Sequence, residues 1–483
     1  MAVYCWAVLL SLGLLAGCNR QAYYDPRSGP QAGAGPAWRM VSPGTSPDQL
    51  PEPPATQWPE NLQQARIQAL LYNPSLKALY HQYRAALEQI PQVTSWQDPK
   101  LTYTFYIRST ETRVGPQRHG VQLAQMIPAP GELDLRGRQA AAKARAAAEQ
   151  FEARRLEIVR QVTARWAELY YLGRSIRVTG ENRKLLEDLE QVVMNLYRTQ
   201  KASRGDLIRI QIERGRVADR LQALQQQVPA AAAALAAVLG IDPETEISLP
   251  GSLELRQVQL DAPSLVRQAR QDNPAVRALQ ARIDAAEAAI ELAGKEYWPN
   301  LGVGVGWIQT DRRHHVNVDD NGKDPWMVSA TLSIPIWRDR LAAGVRQARA
   351  LRTARSLDLA QLRDDLAARV ARAVYDYRDA IRRDELYRQL ILPKSREALK
   401  VVTASYRSGA ATFTDLVDAQ RVNLEFELAW RRARADAAIA QAALEELTAT
   451  ALDSGPATGQ GTGRGTANVE NMDDVNDPSR NNE

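Results

Sequence analysis

Four short stretches of the chain alternate apolar residues with polar or small ones, which is the pattern of strands with two unlike faces. Polar segments at about 108–119 and 310–325 join these stretches into two hairpins, so the sequence predicts four strands. Each stretch is about as long as a tilted membrane strand, although the edge of a soluble sheet would alternate in the same way. The apolar positions are Leu101, Tyr103, Phe105 and Ile107; Val121, Leu123 and Ile127; Leu301, Val303, Val305 and Trp307; and Trp326, Val328, Ala330, Leu332 and Ile334.

Each hairpin ends at an Ile-Pro pair, and a long run rich in Ala, Arg and Leu follows it. We predict helices from about Glu132 to Arg198 and from about Asp339 to Tyr406, each roughly 100 Å long and therefore longer than a globular domain. Apolar residues three and four apart predict coiled-coil seams along them and along the return helix of the first half. The seam positions are Leu359, Leu362, Leu366, Val370, Ala373 and Tyr377, and Val217, Leu221, Leu224 and Val228.

The two halves of the chain match each other at nearly constant spacing. Asn73-Pro74 recurs 200 positions later as Asn273-Pro274, and Pro99 and Leu101 recur as Pro299 and Leu301. A second match, 209 positions apart, lies where the long helices are expected to reverse. Its matched pairs are Tyr197 and Tyr406, Asp206 and Asp415, Leu207 and Leu416, and Gln211 and Gln420. The sequence therefore predicts an internal duplication.

The second reversal lies in Tyr406–Gln420, where Gly409 supplies the backbone freedom that a tight turn needs. Thr414 or Asp415 is expected to cap the helix that follows. Asp415 and Asp418 are three apart and share one helix face.

These features together resemble the TolC family of outer-membrane efflux channels over roughly residues 60–450. The most specific part is the Tyr-x-x-Gly followed by Asp-Leu-x-Asp-Ala-Gln in Tyr406–Gln420, which is similar to the periplasmic tip of that family.

Spanning strands must close into a barrel because lipid offers no partner to an open sheet edge. Four strands are fewer than the roughly eight of the smallest barrels, so two, three or four chains are needed. The resemblance implies three. The predicted fold is thus an α+β membrane protein, a homotrimer whose twelve-stranded β-barrel continues into a long α-helical coiled-coil barrel.

The first residues predict export. The apolar run Trp6–Gly17 is too short to cross a bilayer but suits a signal peptide. The sequence Leu-Ala-Gly before Cys18 resembles a lipoprotein signal, which implies lipid, palmitate included, on Cys18. No Lys or Arg precedes the run, and a plain secretory signal with an incidental Cys18 is the alternative. Cleavage would leave a single cysteine and no disulfide framework.

Composition shifts divide the chain into six predicted segments. Within the two repeats we place strand hairpins at about 100–127 and 300–334 and helical tips at about 198–206 and 406–415. The segments are a signal peptide (1–17), a lipid-anchored Pro-rich tether (18–58), the first repeat (59–239), a connector (240–261), the second repeat (262–452) and a disordered tail (453–483).

The distribution of charge and the motifs argue against several classes of function. The 61 basic and 56 acidic residues are intermixed, which is typical of solvated helix faces and argues against nucleic-acid binding. Gly302-Val-Gly304-Val-Gly306 lacks the strand-to-helix context of a dinucleotide loop. His314 and His315 lie near acidic residues and could bind a metal ion with them. Histidines and carboxylates in an exposed loop are, however, usually only solvated. We therefore predict no enzyme, no cofactor and no resident metal.

The predicted functional chemistry lies at the tips. In a trimer, Asp415 and Asp418 would form two acidic rings that favour cations and raise some carboxylate pKa values. Ordinary capping or surface roles are the alternative, above all for Asp415. The resemblance implies a closed entrance held by a hydrogen bond from Tyr406 to Asp206. Family members often have an arginine in this latch at the position where this chain has Ala411. That difference is expected to weaken the latch unless Arg407 or Arg204 takes the place of the arginine.

The resemblance implies an outer-membrane exit channel of a tripartite efflux system, extending into the periplasm. Its partners would be outer-membrane lipid, a periplasmic adaptor (membrane fusion protein) and an inner-membrane pump of the RND type. Docking of those partners would untwist the Tyr406–Gln420 hairpin. Residues 125–137 resemble members that serve heavy-metal pumps. The alternatives are a periplasmic coiled-coil adaptor or scaffold without a pore, and an envelope-bound nucleic-acid protein suggested by the basic pI.

Overall fold

The computed structural model describes residues 58–451 except 254, 256, 257 and 316. The predicted signal peptide, the Cys18 anchor, nearly all of the tether and the tail lie outside the described residues. Each half of the chain runs through two helices, two strands and a long helix with an antiparallel return helix. The elements are α1 (Leu62–Tyr72), α2 (Pro74–Thr94), β1 (Lys100–Thr112), β2 (Gly115–Ile127), α3 (Glu132–Arg198), α4 (Arg204–Leu239), α5 (Ala262–Asp272), α6 (Pro274–Lys295), β3 (Asn300–Thr310), β4 (Trp326–Ser333), α7 (Arg338–Leu386), a π-helical turn (Tyr387–Ile391), α8 (Leu392–Ser408) and α9 (Phe413–Thr448).

The four strands form one antiparallel sheet in the order β1-β2-β3-β4. One row of directly paired residues across the four strands consists of Leu101, Leu123, Val305 and Val328. The apolar positions therefore share one face of the sheet. That face is bare in the single chain, with Leu101 70% and Val328 87% exposed. A large exposed apolar face of this kind is typical of a surface that contacts a partner protein or a membrane.

The other face of the sheet carries the small residues of β3. A side-chain carbon at Gly302 would lie 2.8 Å from the Met126 sulfur, and one at Gly304 would lie 2.7 Å from the Ser329 hydroxyl. Glycine lets these neighbouring side chains lie across the strand.

The predicted loop at 108–119 is wrong. β1 continues to Thr112 and β2 begins at Gly115, so only residues 113 and 114 lie between them. Polar residues at the end of the hairpin still pair through their backbones, and Gly115 turns with φ +136. A side-chain carbon there would lie 1.8 Å from the Asp311 carbonyl oxygen. Polar side chains indicated a loop where the backbone ladder continues.

Long helices carry most of the chain. α3 is 67 residues long and packs against α2, α4, α6 and α9. No helix in the described part of the chain is both long enough and apolar enough to cross a membrane. Asn73 and Asn273 cap the helices that follow them and donate from their side-chain amides to the carbonyls of Val238 and Leu447, at 2.8 and 2.9 Å. The two halves thus fix their helix ends alike.

The sequence predicts one continuous helix from about Asp339 to Tyr406, but the structure interrupts it. The π-helical turn separates α7 from α8, and the Leu392 N–H donates five residues back to the Tyr387 carbonyl. Pro393 follows at the start of α8. Proline has no N–H to donate, and its ring clashes with the carbonyl four residues earlier, which accounts for the wider turn.

The predicted seam on α7 is buried at Leu359, Leu366, Val370, Ala373 and Tyr377, against α5, α6 and α9. On the return helix α4, only Val217 of the four predicted seam positions is buried. The other three are half-buried because α4 lies at the edge of the helical layer and packs mainly on α3.

Candidate functional site

The two helix reversals have the same backbone geometry. The Ala410 N–H donates to the Ser405 carbonyl at 2.8 Å, and the matching Lys201 N–H donates to the Leu196 carbonyl at 2.8 Å. Gly409 has φ +80 at the second tip, and Gln200 has φ +58 at the first. Both helices thus end through a left-handed residue, but only the second reversal uses glycine there.

Gln200→Gly is therefore expected to stabilise the protein by about 0.5–1 kcal/mol, because a left-handed conformation costs a residue with a Cβ about 1 kcal/mol. The denaturation midpoint of the purified protein should rise. Gly409→Ala is the matched control and should lower it by a similar amount. No increase with Gln200→Gly would rule out a strained first tip.

Capping boxes start both return helices. The Asp206 N–H donates to the Ser203 hydroxyl at 3.1 Å, and the Ser203 N–H donates to the Asp206 carboxylate at 3.0 Å. Thr412 and Asp415 make the same exchange at 3.2 and 2.9 Å. The prediction that Thr414 or Asp415 caps the helix is wrong, because Thr412 is the N-cap and Asp415 is the third helical residue.

Capping also sets the ionisation of Asp415. Hydrogen bonds from the Thr412 hydroxyl and backbone N–H hold the pKa of Asp415 below its usual range in the single chain. The predicted increase concerns like charges in a trimer and stays a prediction. The charged form is favoured in the folded chain, so its contribution to stability is present above about pH 4. That contribution is lost as the pH falls through the lowered pKa.

The predicted latch from Tyr406 to Asp206 is not formed within the described chain. Tyr406 is buried against Phe413, with its ring centroid 5.9 Å away, and its hydroxyl has no hydrogen-bond partner among the described residues. Burial, and then the nearby Asp206 charge, raise the pKa of Tyr406. One oxygen of the Asp206 carboxylate, Oδ2, accepts from both the Ser203 N–H and the Ser203 hydroxyl.

Other residues join the two hairpins. Arg421 on α9 forms an ion pair with Glu213 on α4, with the nitrogen and oxygen 3.1 Å apart. Arg209 donates to the Thr414 hydroxyl at 2.9 Å. The Glu213 side chain is only 12% exposed, so the pair is partly shielded from water.

Asp418 is 61% exposed and lies 3.6 Å from Arg421. Neither Arg407 nor Arg204 forms an ion pair within the described ranges, so neither replaces the arginine missing at Ala411. Sequence reasoning missed Glu213 and Arg421. The signal that could have found them is their similar position on the two return helices, seven residues after Asp206 and six after Asp415.

The loop that contains His314 and His315 holds no metal cluster. In the described residues, no group of three or more His, Cys, Asp or Glu side chains is arranged to bind a metal ion. Asp311 instead pairs with Arg118 at 2.9 Å, and Asp320 pairs with Lys323.

Comparison with known proteins begins with the second half of the chain. Residues 265–450 match the family described as outer membrane efflux protein. A segment of 186 residues is 34% identical to protein CyaE of Bordetella pertussis and covers 37% of this chain and 38% of that relative. Residues 265–450, which make up less than half of the chain, therefore resemble the outer membrane efflux protein family. It is a family of transport channels, not of enzymes.

Solved structures extend the likeness to nearly all of the described residues of the chain. The outer membrane protein VceC of Vibrio cholerae is 18% identical with a TM-score of 0.68, over 81% of this chain and 97% of VceC. The open MtrE outer membrane channel of Neisseria gonorrhoeae is 17% identical with a TM-score of 0.67, over 81% of this chain and 90% of MtrE. The chain has the fold of these proteins, a helical part joined to a β part.

Proposed function

We propose that three copies of this chain form the outer-membrane exit channel of a tripartite efflux system. The channel passes substrates down their gradient from a periplasmic adaptor and an inner-membrane RND-type pump. Lipid on Cys18 would add an anchor in the outer membrane.

The observation that carries the proposal is the unfinished sheet. β1 and β4 are its outer strands, and neither has a second neighbour within the described chain. Unpaired backbone groups cost several kcal/mol each in lipid, so a sheet with an apolar face must close there. β1 and β4 run in opposite directions, so β4 of one copy can pair antiparallel with β1 of the next. Three copies then give twelve strands.

Aromatic residues mark the height of the membrane on this sheet. Trp298 precedes β3 and is 58% exposed, and Trp337 follows β4 and is 73% exposed. Trp307 and Trp326 form a cross-strand pair nearer the other end. Nine residues separate Trp298 from Trp307, about 30 Å along the strand and about 23 Å along the normal at a 40° tilt. This height fits the roughly 25 Å apolar band between the aromatic girdles of outer-membrane barrels.

The helical layer is unfinished in the same way. α4 forms one edge and exposes Ile208 and Ile212, by 47% and 53%. α7, the π-helical turn and α8 form the other edge and expose Tyr375, Leu390 and Val401 by more than half. A sister copy seated against each edge would cover both sets, and a ring of copies would make a tube about as long as α3, roughly 100 Å.

The helical tips then form the periplasmic entrance. With Asp415 engaged in its capping box, Asp418 is the carboxylate better placed to attract cations there, because its side chain is 61% exposed and, in the described chain, its only contact with a cation is a long one to Arg421. The Glu213–Arg421 pair holds the second hairpin against the first. Opening requires that this pair break as the Tyr406–Gln420 hairpin untwists on docking.

Asp418→Asn is therefore expected to weaken cation selectivity in planar bilayers, because three exposed charges leave the entrance. Asp415→Asn is the matched control and should change selectivity less, because its carboxylate faces its own helix end. Equal effects of the two variants would contradict this division of roles. A purified protein that conducts no ions would contradict the channel itself.

The alternative is a periplasmic adaptor or scaffold without a pore. Its helical hairpins would need no sheet with a bare apolar face and two open edges. Bilayer recording separates the two functions, since a scaffold gives no current.

A further inference from the structure

A groove of about 730 Å³ lies between α7 and α9, with α3 along one side, far along the helices from the tips. Five arginines and three carboxylates line it, and two more carboxylates that pair with these arginines bring the charges around it into balance. The floor is apolar and includes Ile439 and Leu447. The arginines are Arg160, Arg369, Arg372, Arg383 and Arg432, and the carboxylates are Asp376, Asp436 and Glu446. We call this the arginine groove.

Shared carboxylates hold the guanidinium groups of the arginine groove in place. Glu446 accepts from Arg160 and, at 3.4 Å, from Arg369. Asp436 accepts from Arg432 at 2.8 Å and lies 3.5 Å from Arg383.

Two further carboxylates outside the lining accept from the same arginines. Glu168 accepts from Arg432 at 2.8 Å, and Asp379 accepts from Arg383 at 2.8 Å. Each guanidinium carries five N–H donors, so many donors in the groove stay unfilled.

Arg369 and Arg372 are the groups most available to a ligand. Their side chains are 56% and 73% exposed, and each has one carboxylate partner, Glu446 for Arg369 and Asp376 for Arg372. They lie one helical turn apart at the mouth of the groove. Fixed arginines beside an apolar floor match a ligand with an anionic head and an apolar body.

The groove lies on the face of the helical layer that α1, α5 and the connector do not cover. The connector contacts other sides of the same helices, where Arg434 donates to the Leu253 carbonyl at 3.0 Å and Arg378 donates to the Leu260 carbonyl at 2.8 Å. In a tube of about twelve helices spaced about 10 Å apart, the inner radius is about 14 Å. Three copies of α1, α5 and the connector would obstruct that space, so they belong outside and the groove faces the lumen.

We infer that the arginine groove is a luminal binding site for amphipathic organic anions, such as sulfonates or carboxylates on an apolar body. The inference rests on the proposed function, because only a closed tube gives the groove a lumen. Three equivalent grooves would hold such an anion briefly on its way out, and the weak binding would let it leave.

The test is block of ion current through the protein in planar bilayers by octane-1-sulfonate. Octylammonium has the same tail with the opposite charge, and sulfate has the charge without the tail. The test variant is Arg369→Gln with Arg372→Gln. The control is Arg346→Gln with Arg349→Gln, which removes two exposed arginines from α7 outside the groove.

We expect octane-1-sulfonate alone to block, with a half-blocking concentration at least about fivefold higher in the test variant and unchanged in the control. Equal block of both variants, or none of the wild type, would overturn the site while the current itself upheld the channel. Equal block by sulfate would overturn the amphipathic ligand class. Absence of any current would remove the channel and the site together.

Discussion

Val303→Arg is expected to prevent stable assembly of the chain in a membrane. Val303 lies on the bare apolar face of the sheet, five residues after Trp298 and four before Trp307, and so about midway through the apolar band. Arginine on the lipid face costs about 2–4 kcal/mol near the midplane, and three copies raise this to about 6–12 kcal/mol for a trimer. The measurement is the amount of oligomer that can be extracted from the membrane fraction.

Thr331→Arg is the control for this prediction. Thr331 lies on the neighbouring strand β4 opposite Gly302, with its side chain on the other face of the sheet. The same charge on that face meets the lumen of the proposed barrel and should leave assembly largely intact. If both variants assembled equally well, the apolar face would not be the lipid-facing one.

Glu213→Arg is expected to hold the proposed channel open. The change replaces the partner of Arg421 by a like charge at a site that is only 12% exposed. Loss of the pair is expected to cost the closed form about 1–2 kcal/mol per copy, between the values for exposed and buried pairs. Three copies give about 3–6 kcal/mol, which raises the ratio of open to closed channels about a hundredfold or more. Single-channel recording should show larger and more persistent currents.

The charge swap tests whether the pair itself keeps the entrance closed. Glu213→Arg combined with Arg421→Glu restores an ion pair across the same two helices and should return the currents toward wild type. If the double variant remained as open as the single one, the hairpins would be held together by other contacts, such as the apolar cluster around Leu416 and Ile210.

The sequence predicts the strands well where apolar and polar side chains alternate. The alternation at Leu101–Ile107 and Leu301–Trp307 indicates strands because the apolar side chains all lie on one face of the sheet. It fails at 108–119, where the hairpin continues with polar side chains on both faces. There the backbone pairing resumes at Thr110 after a register shift, and no alternation of apolar and polar side chains marks it.

The helical tips show the same limit. Gly409 indicates the second reversal, but Gln200 gives no such signal at the first. Local backbone hydrogen bonds from Gln200 to the Tyr197 carbonyl and from Lys201 to the Leu196 carbonyl close that turn without a glycine. The capping boxes are local, and Ser203-x-x-Asp206 and Thr412-x-x-Asp415 are readable in the sequence. The Glu213–Arg421 pair joins residues 208 positions apart, and only the packing of α4 beside α9 brings them together.

The most direct test of the three-copy closure is the mass of the intact assembly released from a lipid membrane, measured by native mass spectrometry. The account predicts a single species with three times the mass of the mature chain. A stable single copy with its strands intact would contradict it, and so would an assembly of two or four chains.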